Sequence, residues 1–140
     1  MSKLEIKNIQ KEVNKGKKDN AVGISLAHLA GTNDFSLYCT EISANSRVGA
    51  HYHTNGTEFY QIVSGEGNIY VGTPLKSGTV HWDEPANVRK GDFFMIDEGQ
   101  VHQLHNTIDE DLVVVFGCAN SHITTDRVMV DGFNLTADNT

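Results

Sequence analysis

An all-β domain, a sandwich or barrel of short strands, is the fold this sequence predicts. Three features point that way. Apolar runs rich in Val, Ile, Phe and Tyr recur along the chain, turn residues part them at intervals of roughly 8–12 positions, and helical periodicity is nearly absent. The length of 140 residues is that of one domain. A domain of this size buries roughly two thirds of the surface its unfolded chain exposes, so it needs no disulfide or metal staple to fold.

Taken in order, residues 1–20 form a lysine-rich lead-in, within which 9–15 is the one stretch with support for a helix. Strands are expected at 22–29, 35–42, 48–53, 58–64, 68–72, 79–83, 93–97, 101–106 and 112–117, which places the barrel domain at 21–120. Turn chemistry separates them: Gly-Thr-Asn-Asp at 31–34, Asn-Gly at 55–56, Gly-Glu-Gly-Asn at 65–68, Lys-Ser-Gly at 76–78, Lys-Gly-Asp at 90–92 and Glu-Gly at 98–99. Residues 121–140 form a C-terminal extension, and 131–140, with little apolar content, are expected to be a loose tail.

Charge excludes a nucleic-acid partner. Eleven Lys and Arg stand against eighteen Asp and Glu, and six of the lysines fall within residues 1–18. The acidic remainder repels phosphate backbones, which Lys and Arg must neutralise for binding. The lead-in is expected to be solvated. The longest apolar stretch, 112–119, is far short of the roughly 20 residues that span a bilayer. The first residues place charges where an export signal needs an apolar core, so a cytoplasmic protein is expected. Cys39 and Cys118 have no CxxC spacing and are expected to remain reduced and buried.

The densest chemistry lies at His51-Tyr-His53-Thr-Asn-Gly-Thr-Glu58-Phe-Tyr60. Asn-Gly between two strand-like runs signals a type I′ hairpin. With Asn55 and Gly56 as its loop, His53 would face Glu58 and His51 would face Tyr60. Alternation puts His51 and His53 on one face, and directly opposed Cβ atoms lie about 4.5–5.5 Å apart. Two imidazoles, a carboxylate and a phenol then converge, a donor set suited to a divalent transition metal. A solvated histidine pair with a surface salt bridge would give the same local pattern.

A second stretch decides between them. From Asn45 the chain reads five residues, His51-x-His53, four residues, Glu58, six residues, Gly65; from Gly91 it reads five residues, Asp97-x-Gly99, two residues, His102, three residues, Asn106. This pairing resembles the two motifs of the cupin superfamily, matching eight of ten fixed positions. The departures, Asn45 for Gly and Asp97 for Pro, spare every ligand position. Asn is the non-glycine residue that best tolerates positive φ, and Asp suits turns.

The resemblance implies a single-domain, jelly-roll-like β-barrel holding one divalent transition metal ion (iron, manganese, nickel, zinc or copper) through His51, His53, Glu58 and His102. Such a set leaves coordination positions open, unlike a structural zinc site. It also implies a role for Tyr60, two residues after the ligating Glu, in proton transfer, its pKa lowered by the nearby cation. Arg47 shares the parity of His51 and is the candidate for binding a substrate carboxylate. His105 has the opposite parity to His102 and should point away. His28, His81 and His122 lie outside the motifs and are given no part in the site. Tyr70, Met95, Leu104, Val114 and Phe116 are expected to fill the barrel. Full retention of the ligand positions favours a metalloenzyme acting on a small oxygen-rich substrate, as a dioxygenase or a metal-assisted isomerase or lyase. The alternative is a non-catalytic module binding a sugar or small metabolite. A homodimer is expected in either case, since pairing protects exposed sheet edges.

Overall fold

The structure, a computed structural model, describes residues 3–19 and 23–135. In chain order its elements are α1 (Ile9–Val13), β1 (Lys17–Asp19), β2 (Ile24–Gly31), β3 (Phe35–Ile42), β4 (His51–Tyr52), β5 (Glu58–Ser64), β6 (Glu66–Pro74), β7 (Val80–Trp82), β8 (Ala86–Arg89), β9 (Phe93–Ile96), β10 (Val101–His105), β11 (Leu112–Ala119), α2 (Ser121–Thr124) and β12 (Val128–Met129). The strands form two sheets, β1-β2-β3-β11-β5-β9 and β12-β4-β10-β6-β7, with β8 also on β6. All pairings between these strands are antiparallel. The facing surfaces enclose the core, where Ile42, Ile62 and Val114 of the first sheet meet Ile69, Val88 and Leu104 of the second. The all-β, jelly-roll-like expectation holds.

The sequence of β11 is nearly unbroken in its apolar character because the strand is buried on both faces. Leu112 and Val114 point into the core, whereas Val113 joins an outer cluster with Cys39 and with Val13 of α1. Asn8 caps α1 by accepting the Lys11 N–H at 3.1 Å. The lead-in is thus not simply solvated: its helix docks on the first sheet and buries Val13. Its residues 1, 2 and 20 lie outside the described set, as does Val22 of the first expected strand.

The second sheet is covered on its outer face by the C-terminal segment. Phe133 stacks on Tyr70 with ring centroids 4.3 Å apart, and its backbone N–H donates to Gln103 Oε1 at 2.8 Å. This corrects two expectations. Phe133 is anchored rather than loose, although Asp131, Gly132, Asn134 and Leu135 are exposed, and 136–140 lie outside the described residues. Tyr70 is buried under the outer covering and not in the barrel, since its neighbour in the ladder is Gln103, not His102 or Leu104. Met95 is likewise outside, 49% exposed on β9. Leu104, Val114 and Phe116 do fill the interior.

The two motif departures sit in turns. Asn45 has φ 60°, the left-handed conformation expected of a residue in a glycine's place, and its side chain donates to Asp109 Oδ1 at 2.7 Å. Gly65 has φ 88°, and a Cβ there would lie 2.8 Å from the Asp111 carbonyl oxygen, so only glycine fits. Cys39 and Cys118 are buried and free, with burial pushing both thiols up.

Candidate metal centre

The expected hairpin does not form. β4 pairs with β10 and β12, and β5 pairs with β9 and β11, so residues 54–57 cross from one sheet to the other. A type I′ turn needs positive φ at both central residues, and Asn45 is the only non-glycine with positive φ among the described residues. The turn's N–H groups find other acceptors. Thr54 and Asn55 donate to the Asp126 carboxylate at 2.7 and 2.9 Å, and Gly56 donates to Glu98 Oε1 at 2.8 Å.

The site assembles all the same. Alternation along β4 turns His51 inward, and its cross-strand partner is His102 on β10. His53 follows β4, and Glu58 opens β5 on the opposite sheet. His51, His53, Glu58 and His102 are each at most 7% exposed. One nitrogen from each of the three imidazoles lies within 4.8 Å of the other two. Glu58 Oε1 is 2.9 Å from His53 Nε2, and Oε2 is 3.4 Å from His102 Nε2.

The imidazoles are oriented for ligation. Each Nδ1 faces a backbone carbonyl oxygen: Gly49 for His51 at 2.8 Å, Asp126 for His53 at 2.5 Å and Gln100 for His102 at 3.3 Å. A carbonyl oxygen only accepts, so each Nδ1 carries a hydrogen and Nε2 is the ring nitrogen turned towards the centre. The Nε2 atoms of His53 and His102 are buried with no hydrogen-bond partner. In the neutral form of these rings an Nε2 lone pair faces the Glu58 carboxylate, and a cation between them relieves that repulsion. The three imidazole nitrogens fit a divalent transition metal, with Glu58 as a neighbouring oxygen donor near two of them; Glu58 also forms a second such group with His53 and His122.

Burial, then the neighbouring His102, holds the His51 pKa well below the usual imidazole value and keeps the ring neutral. Burial works to raise the Glu58 carboxyl pKa, but the surrounding imidazoles of His102, His122 and His53 outweigh it and hold the value well below the usual range. Tyr60 donates to Glu58 Oε2 at 2.5 Å. Burial, then the Glu58 charge, pushes the phenol well above its ordinary value and keeps its proton in place.

His122, given no role from the sequence, belongs to this centre. It is fully buried, donates from Nδ1 to Glu58 Oε1 at 3.0 Å and from Nε2 to the Asn55 carbonyl oxygen, and stacks on His53 at 3.9 Å. Two acceptors require two ring hydrogens. Burial opposes that charge, but Glu58 and the Asn55 carbonyl outweigh it and raise the pKa. No local pattern marks this histidine, which is 64 positions from Glu58.

Arg47 stands apart. Its guanidinium donates to the Phe133 carbonyl oxygen at 2.7 Å, and it does not line the interior cavity. His105 points away from the centre, as expected, with Nδ1 2.9 Å from the Tyr70 hydroxyl. A narrow cavity lies beside the ligands. Leu26, Ile42, Val48, Ile69, Leu104 and Phe116 form its apolar wall, and Arg127 is the only Lys or Arg among its described lining residues.

Residues 39–118 match the cupin-domain family model. No curated protein matches at the sequence level. Among solved structures, an uncharacterised double-stranded β-helix protein from Klebsiella pneumoniae superposes with a TM-score of 0.70 at 18% identity, covering 93% of this chain and 100% of that one. A predicted oxalate decarboxylase from Thermotoga maritima gives 0.55 at 23% identity, covering 67% of this chain and 77% of that one. The oxalate decarboxylase of Bacillus subtilis, studied for its Mn(II) centres, gives 0.60 at 18% identity, covering 81% of this chain and 29% of that one. These likenesses are of fold.

Proposed function

The chain belongs to the cupin family, and from that membership we propose that it is a mononuclear metal-dependent enzyme acting on a small molecule chelated through adjacent oxygens. The observation that carries this reading is the pair of buried, unpartnered Nε2 atoms of His53 and His102, set against Glu58 at the wall of an interior cavity. A divalent transition metal held by His51, His53, Glu58 and His102 would supply Lewis acidity or dioxygen activation at its open positions. The protein supplies the rest. Tyr60 holds a proton on its hydroxyl beside Glu58 and is the group to pass it to a bound substrate. Ile42, Leu104 and Phe116 exclude water and receive an apolar body, and Arg127 brings positive charge to the lining. Oxalate, the substrate class named for two of the structural neighbours, would leave this apolar wall unused. The substrate proposed here joins adjacent oxygens to an apolar portion.

Dioxygenase chemistry and metal-assisted isomerisation or elimination share these requirements, and one experiment separates them. Purified protein is assayed for bound metal, then for oxygen consumption and product formation against catechols, thiols and keto acids. Stoichiometric metal with oxygen uptake establishes a dioxygenase, and turnover without uptake establishes an isomerase or lyase. Saturable binding with no turnover of any compound would replace the enzyme with a binding module, and absence of metal under loading would overturn the reading.

We further propose a homodimer. Phe93 is 64% exposed and lies with Met95 on β9, the edge strand of its sheet. Phe93 stacks on Phe59, which neighbours Phe35, and this extends one apolar patch over the outer face. Sedimentation at micromolar concentration tests it. Among the described residues, no helix is long and apolar enough to cross a membrane.

A further inference from the structure

The segment from Asn120 to Met129 lies beyond residues 39–118, the part of the chain that the cupin family describes. It nevertheless builds much of the surroundings of the metal centre. Leaving β11, it turns through α2, passes the 54–57 crossing and adds β12 alongside β4, with Met129 opposite His51.

Its contacts fall on the ligands themselves. The Asp126 carbonyl oxygen takes the Nδ1–H of His53 at 2.5 Å. The Asp126 carboxylate takes the backbone N–H and hydroxyl of Thr54, each at 2.7 Å, and the N–H of Asn55 at 2.9 Å. His122 lies flat on the His53 ring, 2° from parallel, and donates to Glu58 Oε1 at 3.0 Å. It also bonds the Asn55 carbonyl oxygen. The same segment puts Ile123 and Arg127 into the cavity lining.

We infer that Asn120–Met129 is the outer shell of the metal centre, with His122 and Asp126 as positioning residues that fix the aim of Glu58 Oε1 and His53 Nε2. This rests on the ligand assignment proposed above. The physical reason is rotational. A His53 ring held by one hydrogen bond could still swing about its side-chain torsions, but the stacked His122 ring and the Asp126 carbonyl together leave it one orientation. Glu58 is fixed the same way, with Tyr60 on Oε2 and His122 on Oε1. His122 is placed outside the ligand set because its Nε2 is turned to the Asn55 carbonyl oxygen and its Nδ1 to Glu58, and it does not join the group of His51, His53 and His102. Outer-shell partners of this kind are typically worth about 10–100-fold in metal affinity.

The test uses the full chain and Co(II). Its affinity is measured by chelator competition, its visible absorption is recorded, and the melting temperature of the metal-free protein is followed in parallel. His122→Phe keeps a ring over His53 but removes both donors. It should weaken cobalt binding by about 10–100-fold and shift the absorption bands. His122→Asn keeps an amide N–H near the position of Nδ1 and should recover most of that loss. Asp126→Ala frees the 54–57 crossing and should cost roughly tenfold; it supplies the answer if His122→Phe does not fold. Unchanged affinity and spectrum in the folded variants, whatever their melting temperatures, would overturn the inference. Retention of cobalt by the His51→Ala/His102→Ala protein is a different result, and it would overturn the ligand assignment itself.

Discussion

The two segments flanking the barrel each cover the outer face of a sheet, but with different chemistry. The N-terminal segment docks through Ile9 and Val13 against Cys39 and Val113, an apolar contact remote from the ligands. The C-terminal segment also buries an aromatic ring, Phe133 on Tyr70, yet most of its bonds near the site are polar: Asp126 to Thr54 and Asn55, His122 to Glu58 and Asn55, His53 to the Asp126 carbonyl. Apolar burial has no direction, whereas a hydrogen bond weakens steeply as its angle opens. The first kind of contact adds stability and tolerates sliding. The second fixes angles, and so one flank can govern the geometry of the centre while the other cannot.

The largest effect should come from the centre that separates the flanks. His51→Ala together with His102→Ala removes two of three imidazole donors and should abolish retention of metal, measured by elemental analysis after gel filtration. The circular dichroism should stay β-rich, because the core of Ile42, Ile62, Ile69, Leu104 and Val114 is untouched. Metal content at the wild-type level would break the comparison at its root. The next effect is on rate. Tyr60→Phe deletes the donor to Glu58 Oε2 without altering a ligand. It should keep the metal and lower turnover by about 100-fold or more, the usual contribution of a positioned acid or base. Full activity would remove Tyr60 from the chemistry.

Why the ligands were legible and their neighbour was not follows from what each depends on. The spacing of His51, His53, Glu58, His102 and the turn residues around them is a property of the local chain. Its resemblance to the two cupin motifs is what implies that the four groups meet, and they do so although no hairpin joins His53 to Glu58. Strand alternation was right about faces while the pairing was wrong, because inward parity at His51 does not require a particular partner. β3 and β5 coincide with the expected strands to the residue, because apolar character and flanking turns suffice to bound them. His122 depends on where a short helix lands after the last core strand, and nothing in Asn-Ser-His-Ile reports that. Tyr70 and Met95 failed for a related reason. Alternation sorts a strand into two faces, but which face lies inside depends on what covers the other. Phe133 covers Tyr70, whereas Met95 is 49% exposed.

On the N-terminal flank, Val13→Ala isolates apolar docking. Losing the two methylene equivalents of a side chain that is 5% exposed should cost about 1.5–2.5 kcal/mol in chemical denaturation. Metal affinity of the folded protein should not move. A parallel fall in affinity would show that the first sheet transmits strain to the ligands, and the contrast between the flanks would blur.

The smallest expected effect decides what Arg47 is for. Its exposed guanidinium bonds the Phe133 carbonyl oxygen at 2.7 Å and pins the far end of the C-terminal segment, beyond Asp126. Arg47→Met keeps the length and apolar stem of the side chain and removes that bond. A charge-assisted bond at the surface is worth about 0.5–1 kcal/mol, so the variant should melt slightly earlier. If pinning is its whole function, KM for an identified substrate stays constant and metal affinity changes less than in Asp126→Ala, whose bonds lie directly against the 54–57 crossing. If Arg47 instead binds a substrate carboxylate, KM rises for anionic substrates alone while the melting temperature holds. The two outcomes move different observables, so a single variant separates a residue that anchors the C-terminal flank from one that recognises substrate.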